Sequence, residues 1–277
     1  MRRPLDLEMV RRGLVPSREE AATAILAGSV LVAGRPATKA AALVAPAESI
    51  QISNTDRGFV SRGGRKLEAA LQRFPLDVRG RHALDAGAST GGFTQCLLRR
   101  GAIAVVAVDV GYGQLDWSLR TDERVTVLER TNARLLEPGM LPFAPDMVTA
   151  DLSFISLALV IPSLVRCAAE RTDMVLLVKP QFEAAREDVA AGGVVLDLDA
   201  RRRAIRRVID ACTAAGLATR GVTASPVLGP AGNAEFFVWA SRGDDPPADA
   251  DDGSTADERE RFVEQALRET PDESGAS

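Results

Sequence analysis

The stretch "LDAGASTGGF", from Leu84 to Phe93, places an acid, three glycines and two small hydroxyl residues within ten positions. A backbone that bare is either an ordinary surface turn or a strand-to-helix turn at which a ligand meets the main chain. The surrounding pattern favours the second. From residue 83 onward the apolar runs "HALDAG", "IAVVAVDV", "RVTVLE", "DMVTADLS", "DMVLLVKP", "GLATRGVT" and "EFFVWA" alternate with helical patterns over Gly92–Arg100, Leu157–Glu170 and Asp199–Ala215. Such alternation predicts an α/β fold with a mostly parallel sheet covered on both faces. In a doubly wound sheet, ligands bind beyond the carboxyl ends of the strands, so the glycine turn after "HALDAG" falls at the crevice.

The glycine spacing then selects the ligand class. A dinucleotide turn of the G-x-G-x-x-G kind lacks its second glycine here, whereas Asp85-x-Gly87-x-x-x-Gly91-Gly92 matches the loop that cradles S-adenosylmethionine. Asp85, Gly87, Ser89, Thr90, Gly91, Gly92 and Phe93 are therefore the candidate cofactor residues of this loop. The absence of a side chain at Gly87 is expected to let the backbone lie against the methionine part of the ligand. Asp109 ends the second strand, where an acid can accept hydrogen bonds from both ribose hydroxyls. After the third strand, Asn132 either bonds the adenine edge or caps a turn.

Four further residues stand at the mouth of the expected crevice: Lys66 in the helix entering the domain, Asp151 and Lys179 at strand ends, and Glu235 opening the last strand. Each has an ordinary explanation. Asp151 can cap the helix from Leu157, Lys179 can be a snorkelling surface lysine, and Lys66 with Glu235 can be a simple ion pair. Together they suit a proton transfer, because a partly desolvated lysine near another cation has a lowered pKa and can accept the proton of a ribose hydroxyl. The oxygen then attacks a sulfonium methyl in line, a step that depends chiefly on positioning. "DLSF" after the fourth strand is not the Asp/Asn-Pro-Pro-aromatic signature of exocyclic-amine methylation. Cys96, Cys167 and Cys212 fall in helices, away from the site that carbon-5 methylation requires. They form neither a zinc cluster nor a disulfide framework, which suits a reducing cytoplasm, and no metal site is expected. His82, the only histidine, precedes its strand and belongs to the opposite end of the sheet.

Ahead of this domain, Ser17-Arg18-Glu19-Glu20 forms a capping box for a helix that stops at Gly28. Leu5, Met9, Val10 and Leu14 recur at helical spacing, and "SVLVAGRPAT" and "ESIQIS" read as strands around a turn at Gly34. Residues 1–81 carry fourteen Lys/Arg against eight Asp/Glu, a net charge of +6 that suits a polyanionic partner. Arg3, Arg11, Arg12, Arg18 and Arg35 are the candidate phosphate contacts. Residues 242–277 reverse the balance, with twelve acids against four bases, and their Pro/Gly/Ser-rich composition predicts a disordered tail, at most transiently helical over Asp257–Glu269. No apolar run reaches membrane-spanning length, and the N-terminus lacks the apolar core of a signal peptide. A membrane-lytic toxin is therefore not expected, whereas a non-catalytic RNA-binding protein remains an alternative to an enzyme.

"FVSRGGRKLEAAL", "ALDAGASTGGFTQCLLRRGA", "VVAVDVGYGQLDWSLR", "ADLSFISL", "LLVKPQFEA" and "GPAGNAEFFVW" together resemble the TlyA family over roughly residues 3–241. This family comprises bacterial ribosomal RNA 2'-O-methyltransferases that also carry a haemolysin label. The resemblance implies an RNA-binding domain of the ribosomal protein S-four type over 1–56, a linker over 57–60 and an FtsJ-like, Rossmann-like methyltransferase domain over 61–241. It implies S-adenosylmethionine as cofactor and a Lys-Asp-Lys-Glu tetrad at Lys66, Asp151, Lys179 and Glu235. It also implies cytidines of ribosomal RNA, within ribosomal subunits, as substrate. The linker reads Arg57-Gly58-Phe59-Val60 where the family has an Arg-Ala-aromatic-Val type, and Pro4 interrupts the usual Arg-Leu-Asp opening.

Overall fold

The computed structural model describes residues 2–15, 17–26, 30–33, 35–46, 48–52, 59–243 and 256–270. The chain divides into two compact units, Met1–Arg62 and Gly63–Ser277. Arg57 and Gly58 of the expected linker, the expected helix stop at Gly28 and the expected turn residue Gly34 lie outside the described residues.

In the first unit, β1 (Arg3–Pro4) leads directly into α1 (Leu5–Arg11), and α2 (Arg18–Leu26) follows. The capping box forms its first half, with the Glu20 backbone N–H donating to Ser17 Oγ at 3.1 Å. β2 (Val30–Val32) pairs antiparallel with both β3 (Arg35–Pro36) and β5 (Ile50–Ile52), while β4 (Leu43–Val44) pairs with β1. Leu5, Met9, Ala21, Ile25, Val30, Val44 and Ile50 close a small core, which explains the apolar spacing of both helices.

The second unit opens with α3 (Arg62–Arg73) and then alternates as expected: β6 (His82–Ala86), α4 (Gly92–Arg99), β7 (Ala104–Val108), α5 (Trp117–Arg120), β8 (Val125–Leu128), β9 (Met147–Ala150), α6 (Ile161–Cys167) and β10 (Thr172–Val178). It ends with α7 (Pro180–Glu183), α8 (Leu198–Ala214), β11 (Ala218–Ala224), β12 (Phe236–Arg242) and α9 (Ala256–Arg268). Seven strands form one sheet in the order β11-β12-β10-β9-β6-β7-β8. The pairs β6/β7, β7/β8, β6/β9 and β9/β10 are parallel, and β12 runs antiparallel to both neighbours. Strands β9 and β10 are buried at every residue, as a sheet covered on both faces requires. Strand order reverses between β6 and β9, so the crevice of a doubly wound sheet opens beyond their carboxyl ends.

The expected disordered tail is corrected over residues 256–268. There α9 docks its Val263, Ala266 and Leu267 into the main core, beside α8 and β11. The acids that suggested disorder are matched by arginines of α8, with Glu264 paired to Arg202 at 2.5 Å and Glu260 paired to Arg206. Glu269 pairs with Arg73 of α3. Among the described residues no helix is long and apolar enough to cross a membrane, and no cluster of side chains could hold a metal ion.

Candidate active site

The glycine turn is built by local strain that its residues can bear. Gly87 and Gly91 hold φ values of 85° and 98°, a region costly for any residue with a Cβ. A Cβ on Gly87 would collide with the Asp151 backbone carbonyl, and one on Gly91 with the Leu119 and Leu115 side chains. The bareness of the turn is thus explained first by close packing of the protein on itself. Gly91 also serves as the N-cap of α4.

Gly87, Ser89, Asp109, Gln114, Asn132 and Asp151 line a cleft of ≈ 310 Å³ together with Val108, Leu152, Ser153, Phe154 and Ile155. Asp109 ties its two walls together: its carboxylate oxygens accept the backbone N–H of Ser89 at 2.8 Å and of Gly111 at 2.7 Å. Asn132 caps a short turn by accepting the Arg134 N–H at 3.0 Å, and it still faces the cleft. Both sequence alternatives for this residue are therefore compatible with its position.

Other residues of the turn stand behind the cleft. Asp85 is completely buried, accepting from Thr94 Oγ1 at 2.7 Å and Thr149 Oγ1 at 3.3 Å. Burial pushes its carboxyl up to about 7, against the lowering effect of the Thr94 hydrogen bond. Phe93 is buried and stacks on Phe237 at 6.0 Å, and Thr90, Gly91 and Gly92 do not contribute to the cleft wall. These five of the expected cofactor residues shape the turn and do not line the cleft.

A second cavity of ≈ 480 Å³ shares Ser153 and Phe154 with the first and is lined further by Lys179, Gln181, Phe182, Asn233 and Glu235. Lys179 sits at the carboxyl end of β10, its Nζ 2.6 Å from Asp151 Oδ1 and donating to Ser153 Oγ at 3.0 Å. The Asp151 contact has ion-pair distance without hydrogen-bond alignment, because Oδ1 has no correctly aligned donor. Lys66 on α3 pairs with Glu235 Oε2 at 2.5 Å in a buried contact, behind the cavity wall. Burial raises the Glu235 carboxyl above the usual range, opposed by the charges of Lys66 and Lys179. The four residues are drawn together as two ion pairs. The nearest charged partner of each lysine is thus a carboxylate and not the second cation that sequence reasoning invoked.

Two participants were missed in the sequence. Phe154 is 91% exposed at φ 64°, between the two cavities, and its ring lies 5.2 Å from that of Phe182. Glu183 holds the loop that presents it, accepting from Ser156 Oγ at 2.5 Å and from the Leu157 N–H at 2.6 Å. An aromatic after "DLS" was the only signal for the first, and nothing local signals the second. His82 lies at the start of β6 against Phe143, away from both cavities, and the three cysteines are buried.

In the first unit, Arg3 is exposed, whereas Arg11 and Arg12 bond Glu8 at 2.6 and 2.8 Å and Arg18 bonds Asp6 at 2.7 Å. Arg12 also donates to the carbonyls of Ala45, Pro46 and Glu48, so its fork is committed to the fold and not to phosphate. Arg11 and Arg18 keep about half or more of their side chains exposed, at 51% and 63%. The Arg35 side chain lies outside the described residues.

Residues 59–242 match the FtsJ-like methyltransferase family, and residues 3–50 match the S4 domain. Over 85% of its length the chain is 53% identical to the 16S/23S rRNA (cytidine-2'-O)-methyltransferase TlyA of Mycobacterium tuberculosis, spanning 88% of that protein. It is 38% identical to hemolysin A of Brachyspira hyodysenteriae over 84% of this chain and 98% of that one. A solved structure carrying a hemolysin label, from Streptococcus thermophilus, superposes with a TM-score of 0.74 at 34% identity, covering 97% of this chain and 96% of that one. Sheet order, glycine turn and these matches define a methyltransferase of Rossmann-like fold preceded by an S4 domain. The chain belongs to the TlyA family of FtsJ-like methyltransferases.

Proposed function

We propose that the protein methylates the ribose 2'-hydroxyl of cytidines in ribosomal RNA, within the large and the small ribosomal subunit, using S-adenosylmethionine. The observation that carries this reading is the placement of Lys179, held by Asp151 and Ser153, where the two cavities share a wall. The naming of the Mycobacterium tuberculosis relative supports the choice of substrate.

The first cleft fits the cofactor. It is largely apolar and lined by Gly87 and Ser89 of the turn, and Asp109 faces it from the end of β7, each carboxylate oxygen keeping acceptor capacity beyond one backbone N–H. When bound, S-adenosylmethionine supplies an electrophilic sulfonium methyl group. Gly87, Ser89, Asp109 and Asn132 would hold it, and Leu152 and Ile155 would exclude water from its apolar parts.

The second cavity takes the target nucleotide. Lys179, as the neutral amine after passing its ammonium proton to solvent, accepts the 2'-hydroxyl proton as that oxygen becomes the nucleophile, and Asp151 with Ser153 fixes Nζ where the hydroxyl enters. Glu235, opening the strand beside Lys179, braces the wall as a buried pair with Lys66. Phe154, exposed and aromatic, offers a stacking face to a nucleotide turned out of its helix. Arg3, Arg11 and Arg18 of the S4 domain grip phosphates and choose which nucleotide is presented.

The test is to incubate the full chain with unmethylated ribosomal subunits and a labelled methyl donor, then digest the RNA and identify the labelled nucleoside. Label in 2'-O-methylcytidine is expected. Label on a base, or none, overturns the reading. A purely RNA-binding protein is separated by Lys179→Ala, which should keep subunit binding and lose methyl transfer.

A further inference from the structure

The α7 turn follows Lys179 directly, and three of its four residues have a visible structural task. Pro180 fixes the turn, Phe182 pairs its ring with Phe154, and Glu183 fastens the 156–157 segment. Gln181 is different. Its carboxamide contributes to the cavity wall, yet Oε1 is shielded from water and accepts no hydrogen bond. An acceptor left unmatched in the interior is costly, and native proteins keep few of them.

Its surroundings share this shortage. Among the described residues four buried side-chain polar atoms lack a hydrogen-bond partner, and three of them, Asp151 Oδ1, Gln181 Oε1 and Glu235 Oε1, belong to residues of the two cavities. All three are acceptors. The neighbouring carboxamide, Asn233, is already fixed: it accepts the Val195 N–H at 2.9 Å and donates to the Gly193 carbonyl at 2.8 Å. Gln181 is therefore the cavity amide left with an unmatched oxygen, and it has no lysine paired to it as Asp151 and Glu235 have.

We infer that Gln181 is a specificity-determining residue, whose Oε1 accepts a hydrogen bond from the exocyclic amine of the target base and so admits cytosine while rejecting uracil. This rests on the function proposed above. Cytosine carries an amino donor where uracil carries a carbonyl acceptor, so uracil would leave two acceptors facing each other. The base reaches the amide by parting Phe154 from Phe182, a movement the exposure of Phe154 permits. The ribose edge of the same nucleotide then lies toward Lys179, two residues before Gln181.

The experiment compares ribosomal subunits carrying the mapped target cytidine with subunits carrying uridine at that position, using the full chain, and reads kcat/KM for each. Wild type should prefer cytidine by tenfold or more, the scale of a lost base-edge contact. Gln181→Met, of similar length and without a polar head, should bring the ratio close to one while keeping calorimetric affinity for S-adenosylmethionine. Gln181→Glu, which only accepts, should retain the cytidine preference. Equal wild-type rates on the two substrates, or a preference unchanged in Gln181→Met, overturn the inference. So does a preference inverted in Gln181→Glu, which would mean that the amide nitrogen donates to the N3 acceptor of cytosine. Failure of wild type on every subunit would instead strike the proposed function itself.

Discussion

Gly87 and Asp151 stand in backbone contact, the α-carbon of one against the carbonyl of the other, with no room for a methyl group between them. The cofactor turn and the residue that holds Lys179 are therefore one mechanical unit. Gly87→Ala should lose about 1–3 kcal/mol of stability from the φ of 85° alone, and must also displace Asp151. Its methyl-transfer rate should fall further than its affinity for S-adenosylmethionine, measured by single-turnover kinetics and calorimetry. A variant with wild-type kinetics would show that the contact has no part in placing Lys179.

Lys179→Arg keeps the charge and can still pair with Asp151, but a guanidinium does not give up its proton at working pH. It should behave as a knockout in transfer assays while binding subunits normally. Near wild-type activity would assign Lys179 to orientation rather than proton acceptance.

Phe154→Ala should weaken productive binding of the nucleotide by about 1–3 kcal/mol, the scale of one base-aromatic stack. Because Phe154 is 91% exposed, the melting temperature should hardly move. The loss is to be read in kcat/KM on assembled subunits.

Asp85 links stability to pH. Its carboxyl is raised from 3.8 to about 7 by burial, so between these values the folded state keeps a proton that the unfolded chain has released. The resulting contribution is present below the unfolded pKa and is lost as pH rises through the folded one. Asp85→Asn should flatten the decline in denaturant-measured stability from pH 4 to pH 7. An unchanged slope would remove Asp85 as its source.

Truncation before α9 should destabilise the second unit. It strips the cover from the surface that Val263, Ala266 and Leu267 occupy, on the order of 3 kcal/mol or more of apolar burial, and breaks the pairs made by Arg202 and Arg206. Thermal unfolding of a chain ending at residue 243 would measure it.

What could be read from the sequence follows from what is periodic. All seven strands of the sheet were visible as runs between turn signals, the central ones because strands covered on both faces are apolar throughout. Asp109, Asp151 and Lys179 were visible because strand ends in this topology face the crevice. The docking of α9 was not, since its composition is that of a solvated segment and its complement, the arginine face of α8, lies more than fifty residues away. Asp85 was assigned to the ligand because its type and spacing fit, and neither reveals that Thr94 and Thr149 enclose it. Arg12 was assigned to phosphate for the same reason, while its acceptors are carbonyls more than thirty residues distant.

One strand in the sheet runs against the others, and it determines when the enzyme can first work. Because β12 is reversed, its beginning lies beside the end of β10, with Phe236 opposite Val178. Glu235 therefore enters the site from the start of the last strand among the described residues, while Lys66 stands in the first helix of the same unit. Until β12 inserts between β10 and β11, Lys66 lacks the carboxylate it pairs with in the folded sheet. The site is thus complete only when the sheet is, since the Lys66–Glu235 pair closes across the insertion of β12.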